Sequence, residues 1–362
     1  MKLGQMVVWA LFSSRLLIAQ ANFPAPIFQL QDVKHKLQKN GVQVDGNVLT
    51  IRSGVGTPTT INVLAFSNDG SLLAAGMDFG RVVVWNITTH AVAHVVETGQ
   101  GIVSAVAISP DNQFIATAGR EKNGQLTLWN LDSGKLTRTI DISRTPVQSL
   151  EFCPKGDCLV VTENGTAIVF DPVHGGTLLD LQALSERMPV LSRDGSVLMT
   201  ASGDDFILRR VADWKVMRSF PKPVKYAWPL ALDTQTGTYV YGEPNGKPGF
   251  VVANLDADHP TNITGPSLLP QFNPSTGFFA SPDISSGIVF GHSGARLWAW
   301  SPKSGKSCLS DVLYSESGKL SPNGLFVASA VDNGVFAAKK AAPGVLVWST
   351  VSVIDSCSLL KP

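Results

Sequence analysis

The chain has 362 residues, of which 44% are hydrophobic and 16% charged, and its formal net charge is +1. So even a balance leaves no electrostatic footprint for nucleic acid or an anionic membrane surface. The length exceeds a usual single core unless the architecture closes on itself or repeats.

Residues 1–21, MKLGQMVVWALFSSRLLIAQA, join an early Lys2 to two apolar runs ending in Ala19-Gln20-Ala21. That is the pattern of a secretory leader with an A-x-A cleavage site, although Arg15 interrupts it. The stretch is too short and broken to span a bilayer, and no later run reaches the roughly 20 apolar residues a spanning helix needs. Residues 22–58 form an N-terminal extension. Within it, Pro26 and Gly41 bracket a short amphipathic helix with Ile27, Leu30, Val33 and Leu37 on one face. The segment VQVDGNVLTIR, residues 42–52, predicts a hairpin turning at Asp-Gly.

From residue 59 onward one unit recurs. Its turn reads SNDG (67–70), SPDN (109–112), CPKG (153–156), SRDG (192–195), TQTG (234–237), PSTG (274–277) and SPNG (321–324), with successive turns 39 to 47 residues apart. This is the period of a propeller blade of four strands. Short apolar segments flank each turn as strands, and proline and glycine supply the turn's special φ values. A third segment (RVVVWN, QLTLWN, TAIVFD, GFVVAN, ARLWAW, GVLVWS) is apolar almost without alternation. Such a strand must be covered on both faces, which stacking around a ring provides. A more polar fourth strand, such as GKLTRTID (134–141), forms the outer edge. Either the 42–52 hairpin or the C-terminal SVIDSCSLL supplies a closing strand; the residues do not choose between them.

Four cysteines fit an oxidising compartment. Cys153 and Cys158 flank PKGD and face each other if those residues turn a hairpin; Cys308 and Cys357 remain as a second pair. The alternative is four buried thiols in a reducing cytosol. Sequons stand at Asn86, Asn164 and Asn262 and matter only in a cell that glycosylates exported chains.

These units resemble the WD-repeat family, in particular its seven-bladed β-propellers. LLAAGMDFGRVVVWN (72–86) is close to the family's strand, Asp-containing turn and Trp-Asp ending, with Asn86 in the final position; AISPDNQFIATAG and LTLWN match in the second unit. The resemblance implies an all-β fold of seven four-stranded antiparallel blades, with Trp85, Trp129, Phe170, Trp300 and Trp348 wedged between blades. Arg210 stands where the fourth blade's tryptophan belongs, and Gly99-Gln100 replaces the family's Gly-His. The family's His, Ser/Thr, Asp and Trp hydrogen-bond network is therefore expected to be incomplete in every blade.

Where first strands enter the channel, the chain offers only Glu186 and Glu316 as carboxylates, with Asn62 and Gln148 nearby; these read as solvated loop residues. His90, His94, His174 and His292 have no ligand spacing, and Asp78, Asp204 and Asp205 read as structural turn residues. No nucleophile elbow or phosphate-binding loop occurs, so no cofactor and no metal are expected. The links between second and third strands vary in length, and they place Arg120, Glu121, Lys247, His292, Phe336, Lys339 and Lys340 on one end of the ring, with blades five to seven contributing most. Tolerated insertion explains the same lengths.

The leading reading is a non-catalytic secreted or periplasmic scaffold for a protein, peptide or glycan, with no nucleic acid and no membrane span. Its rivals are an exported lactonase-like hydrolase using Glu186 or Glu316 with a metal, and a cytoplasmic WD-repeat adaptor.

Overall fold

A computed structural model describes residues 61–360 except 121–124, 142–146, 164, 243–249, 257–262, 265–282, 286, 294–295, 310–317 and 332–343, together with 21–22, 28–30, 42–45 and 48–51. Seven blades follow in chain order, spanning 61–97, 103–141, 147–180, 187–221, 228–264, 283–309 and 318–349. Each of the first five is a four-stranded antiparallel meander, and each blade's inner strands contact the next, with the seventh packing on the first. The core is a chain of inter-blade clusters. Leu73, Val83 and Trp85 of blade one, for example, pack with Ala328, Val345 and Val347 of blade seven. The second strand of blade one, Leu72–Met77, is buried at every position, as its unbroken apolar run requires.

The recurring turn is a hydrogen-bonded box. In blades one, two, four and seven the side-chain hydroxyl of Ser67, Ser109, Ser192 or Ser321 accepts the backbone N–H five residues on, each at 2.9 Å. The same hydroxyl donates to Asp69, Asp111, Asp194 or Asn323, whose oxygen in turn caps the N–H two residues further along. In blade three Cys153 and Cys158 occupy those two positions and are joined, with Cα atoms 5.2 Å apart.

Two carboxylates of this box, Asp69 and Asp194, titrate low. Burial raises Asp194, but hydrogen bonds from Ser192, Ser196 and Thr234 outweigh it and hold the group below 3.8. A depressed folded pKa contributes stability that is complete above the unfolded value and lost as pH falls through the folded one. Asp194→Asn, which copies Asn323, is therefore expected to fold normally and to lose less stability than the parent as pH falls below about 4 in urea melts. An unchanged acid slope would refute this assignment.

Three expectations are corrected. In blade six Asp283–Ser285 and Ile288–Ser293 are the first and second strands, paired through Ile284↔Val289. These two strands therefore join between Ser285 and Ile288, and the expected turn at 274–277 falls outside the described residues. His292, expected in a variable link, lies instead in a strand opposite Leu297. Second, Phe28–Leu30 is not helical: it pairs antiparallel with Val345–Val347 and supplies the fourth strand of blade seven. Third, neither segment expected to close the ring does so. The hairpin Val42–Asp45 and Val48–Ile51 pairs with itself, and the C-terminus forms the helix Thr350–Ser356. Ala21–Asn22 adds a fifth, parallel strand to blade six.

The second cysteine pair sits at this closure. Cys308 on the outer strand of blade six is joined to Cys357 at the end of the helix, with Cα atoms 5.9 Å apart. Val353, Ile354 and Leu359 pack with Trp348 and Leu320 into the same inter-blade core.

Candidate functional site

The links between blades and the turns between second and third strands meet at one end of the ring, because an antiparallel meander returns there after every second strand. At this end the three described links each turn through a residue with positive φ: Gly99 (φ 63), Ser185 (φ 56) and Tyr226 (φ 65). The next residue points into the blade. These residues are Gln100, Glu186 and Ala227, and all three are buried.

Gln100 does the work expected of a histidine. Its Oε1 accepts from Thr117 Oγ1 at 2.7 Å, and Trp129 Nε1 donates to Thr117 Oγ1 at 3.2 Å and to Thr127 Oγ1 at 3.0 Å. A partial network joining link, second strand and tryptophan is therefore present in blade two, without histidine or aspartate, because an amide supplies the same acceptor as an imidazole nitrogen. Blade one lacks it. Ala75 and Val83 pair at the positions of Thr117 and Thr127, and Trp85 Nε1 finds no acceptor among the described residues. Val83→Thr, an isosteric change, is thus expected to be neutral or stabilising by up to about 1 kcal/mol. The neighbouring Val84→Thr should cost about 1–3 kcal/mol. Equal costs in thermal melts would show that the indole does not capture the new hydroxyl.

Blade four solves the same problem with charge. Leu198↔Arg209 pairs as Ile115↔Trp129 does, so Arg209, and not Arg210, takes the tryptophan position. Arg209 is bonded through Nη2 to Glu186 Oε1, its Nε lies 3.2 Å from both Glu186 oxygens, and Thr200 Oγ1 donates to Oε2 at 2.6 Å. Glu186 is thus no solvated loop residue: it is buried, and both oxygens are committed within the blade. Arg210 instead forms an exposed pair with Asp213, Nε to Oδ1 at 2.9 Å.

The other anticipated residues are scattered. Arg120 is exposed, its N–H bonded to Ile102 O at 2.9 Å. Asp78 accepts from Asn62 Nδ2 at 3.0 Å, and Gln148 Oε1 accepts the Gly165 N–H at 3.2 Å. Asp204 lies in the turn, whereas Asp205 opens the third strand of blade four. Asn86 heads the turn after the third strand, its Oδ1 capping the N–H groups of Thr88 and Thr89 at 2.9 and 2.8 Å. Trp85, Trp129, Trp300 and Trp348 are buried between blades and Phe170 is half-buried. Glu121, Lys247, Phe336, Lys339, Lys340, Glu316, Asn164 and Asn262 fall outside the described residues. Among the described residues no three His, Cys, Asp or Glu side chains gather as a metal site, and no helix is long and apolar enough to cross a membrane.

Two residues not anticipated define the site. Phe79 (φ 63) and Tyr226 (φ 65) are 60% and 68% exposed, and they are the only aromatics among the exposed large hydrophobic residues described. Both lie at the linker end. A left-handed bulky residue is strained by about 1–3 kcal/mol and persists only where its surroundings dictate it. Here the Phe79 turn is pinned by Thr98, whose N–H and Oγ1 both donate to Gly80 O, at 2.6 and 2.8 Å. The sequence signal was weak: the Phe in MDFG looks like any turn, and Tyr226 becomes visible only once Gly99 and Ser185 are superposed on it. The channel between the blades is lined by Ala65, Ala105, Glu151 and Lys319 among others. At the opposite end Arg193 of blade four reaches across it to Pro322 O of blade seven at 2.8 Å.

The family model for the WD domain, G-beta repeat, matches residues 90–130, from the outer turn of blade one through the third strand of blade two. The chain is 29% identical over 133 residues to "Retinoblastoma-binding-like protein E" of Dictyostelium discoideum, covering 36% of this chain and 23% of that protein. It is 33% identical over 144 residues to "Small ribosomal subunit protein RACK1y" of Oryza sativa subsp. japonica, covering 37% and 41%. The chain thus matches less than half the length of either relative. Among solved structures, the Cps50 (Swd1) β-propeller domain of Myceliophteria thermophila superposes with a TM-score of 0.55 at 16% identity, covering 83% of this chain and 98% of that one. U3-55K does so at 0.55 and 17%, covering 81% and 96%. These two likenesses show the fold alone. Fold and matches together define the class: the chain is a seven-bladed β-propeller in which residues 90–130 match the WD domain, G-beta repeat.

Proposed function

We propose that this propeller is a non-catalytic, exported scaffold whose linker end binds a protein partner. The observation carrying this reading is the pair of exposed, left-handed aromatics, Phe79 and Tyr226. Each costs the fold twice, in strain and in apolar exposure, which selection for stability alone would remove; aromatic anchors are what interfaces use. The names of the matched relatives point the same way: one is called retinoblastoma-binding-like, and another, from Danio rerio, "p21-activated protein kinase-interacting protein 1-like". Against the hydrolase alternative, the one described carboxylate it would use, Glu186, has both oxygens bound by Arg209 and Thr200. Export is supported by the leader pattern of residues 1–21 and by all four cysteines standing in bonded pairs.

Phe79→Gly and Tyr226→Gly separate binding from folding. Each should keep or raise stability, by up to about 1 kcal/mol, and together they should abolish affinity capture from the native extract, while Leu325→Ser at the opposite end leaves it intact. Undiminished capture by the double variant would remove the linker-end site. N-terminal sequencing of the protein recovered from its host is expected to begin at Asn22, and an intact Met1 would end the export reading.

A further inference from the structure

Resting on the linker-end reading, a narrower one follows from where charge is left uncommitted. Two successive links, 181–186 and 222–227, flank blade four and, with the start of its first strand, expose Leu184, Met188 and Tyr226. Ser185, Met188 and Tyr226 are all left-handed, held by backbone bonds Ser185 N to Gln182 O, Met188 N to Gly165 O and Ala227 N to Val224 O at 3.0, 2.7 and 3.1 Å. The apolar trio is therefore displayed by a fixed backbone.

The acids of this sector are in use. Glu186 is bound by Arg209, Asp180 Oδ1 accepts the Ala183 N–H at 3.1 Å, and Asp205 Oδ2 accepts from Ser219 Oγ at 3.1 Å. Asp204 and Asp205 also face Lys222, whose Nζ is held on Gly203 O at 2.6 Å. Two cations remain. Arg187 is exposed and its side chain makes no hydrogen bond or ion pair among the described residues, and the Lys225 side chain has only the Tyr226 ring, 5.1 Å from its Nζ. Apolar anchors beside cations without carboxylate partners complement a ligand that is apolar and negative.

We propose that the blade-four sector of the linker end binds an acidic peptide segment of a protein partner, with leucine- or phenylalanine-type side chains on Leu184, Met188 and Tyr226 and its carboxylates on Arg187 and Lys225. Cations at such a rim act mainly through long-range attraction, so affinity should fall with salt.

The test uses the full-length oxidised protein and two labelled synthetic nonapeptides, one alternating Glu and Asp with Leu and Phe, the other with every acid replaced by Lys. Fluorescence anisotropy should show binding of the acidic peptide only, weakened at least tenfold by the double variant Arg187→Glu/Lys225→Glu and at least tenfold by Tyr226→Gly. Lys135→Glu/Lys303→Glu, at the opposite end, should leave it unchanged. If the acidic peptide fails to bind the parent, or the Lys peptide binds as well, the partner chemistry is wrong while the capture experiment above still stands. If it binds but Arg187→Glu/Lys225→Glu has no effect, the location is wrong. Circular dichroism melts of each variant separate lost binding from lost fold.

Discussion

Arg209→Ala is expected to destabilise the protein by about 3–5 kcal/mol, because it strands a buried carboxylate. Among the described residues Glu186 has only Arg209 as a charged partner in its hydrogen-bond shell, with Thr200 supplying a neutral donor, and the arginine side chain is itself only 12% exposed. The guanidinium also donates from Nη1 to Trp214 O at 3.0 Å, so its loss unties the turn after the third strand. The cost belongs to the unpaired charge more than to the pair itself. The double variant Glu186→Gln/Arg209→Trp rebuilds the arrangement of Gln100 and Trp129 and should therefore recover most of the loss. Urea melts of Glu186→Gln, Arg209→Trp and the double give the coupling energy directly. A single-variant cost below about 1 kcal/mol would mean that water already screens the pair.

Trp348→Ala is expected to cost a similar amount, about 3–5 kcal/mol, for a different reason. Its indole is 1% exposed and packs among Phe290, Leu297, Leu346, Val353, Ile354 and Cys357, where blade six, blade seven and the C-terminal helix meet. The cavity cannot collapse easily, since the Cys308–Cys357 link and the strand Phe28–Leu30 fix the surrounding elements. Trp348→Phe should restore roughly half of the loss by refilling part of the volume. Hydrogen exchange is the sharper readout: Trp348→Ala should accelerate exchange in 344–349 and 350–357 well before blade two. Uniform acceleration around the ring would show that the closure is no weaker than the other seams.

Much of the ring was legible along the chain because its determinants are local. A Ser-x-Asp-Gly turn fixes its own hydrogen bonds within six residues, and a continuous apolar strand states that both its faces are covered. Where the signal was ambiguous by one residue, the reading slipped: two arginines stand side by side at 209 and 210, and only the pairing of Leu198 shows which one replaces tryptophan. In blade six a plausible turn at 274–277 outweighed the quieter Gly287, whose φ of 72 is what the hairpin uses.

By itself, the sequence determined the number of blades, their period, the turn chemistry and the cysteine pairing that a hairpin permits, all of which depend on residues close together in the chain. Only the tertiary structure decided the closing strand, since Phe28–Leu30 meets a partner more than 300 residues away and carries no local mark of doing so. Tertiary structure also turned Gln100 and Glu186 into buried network members and left Phe79, Tyr226, Arg187 and Lys225 at the surface. Burial, strain and charge neutralisation are set by neighbours that the backbone brings together only when the ring has closed.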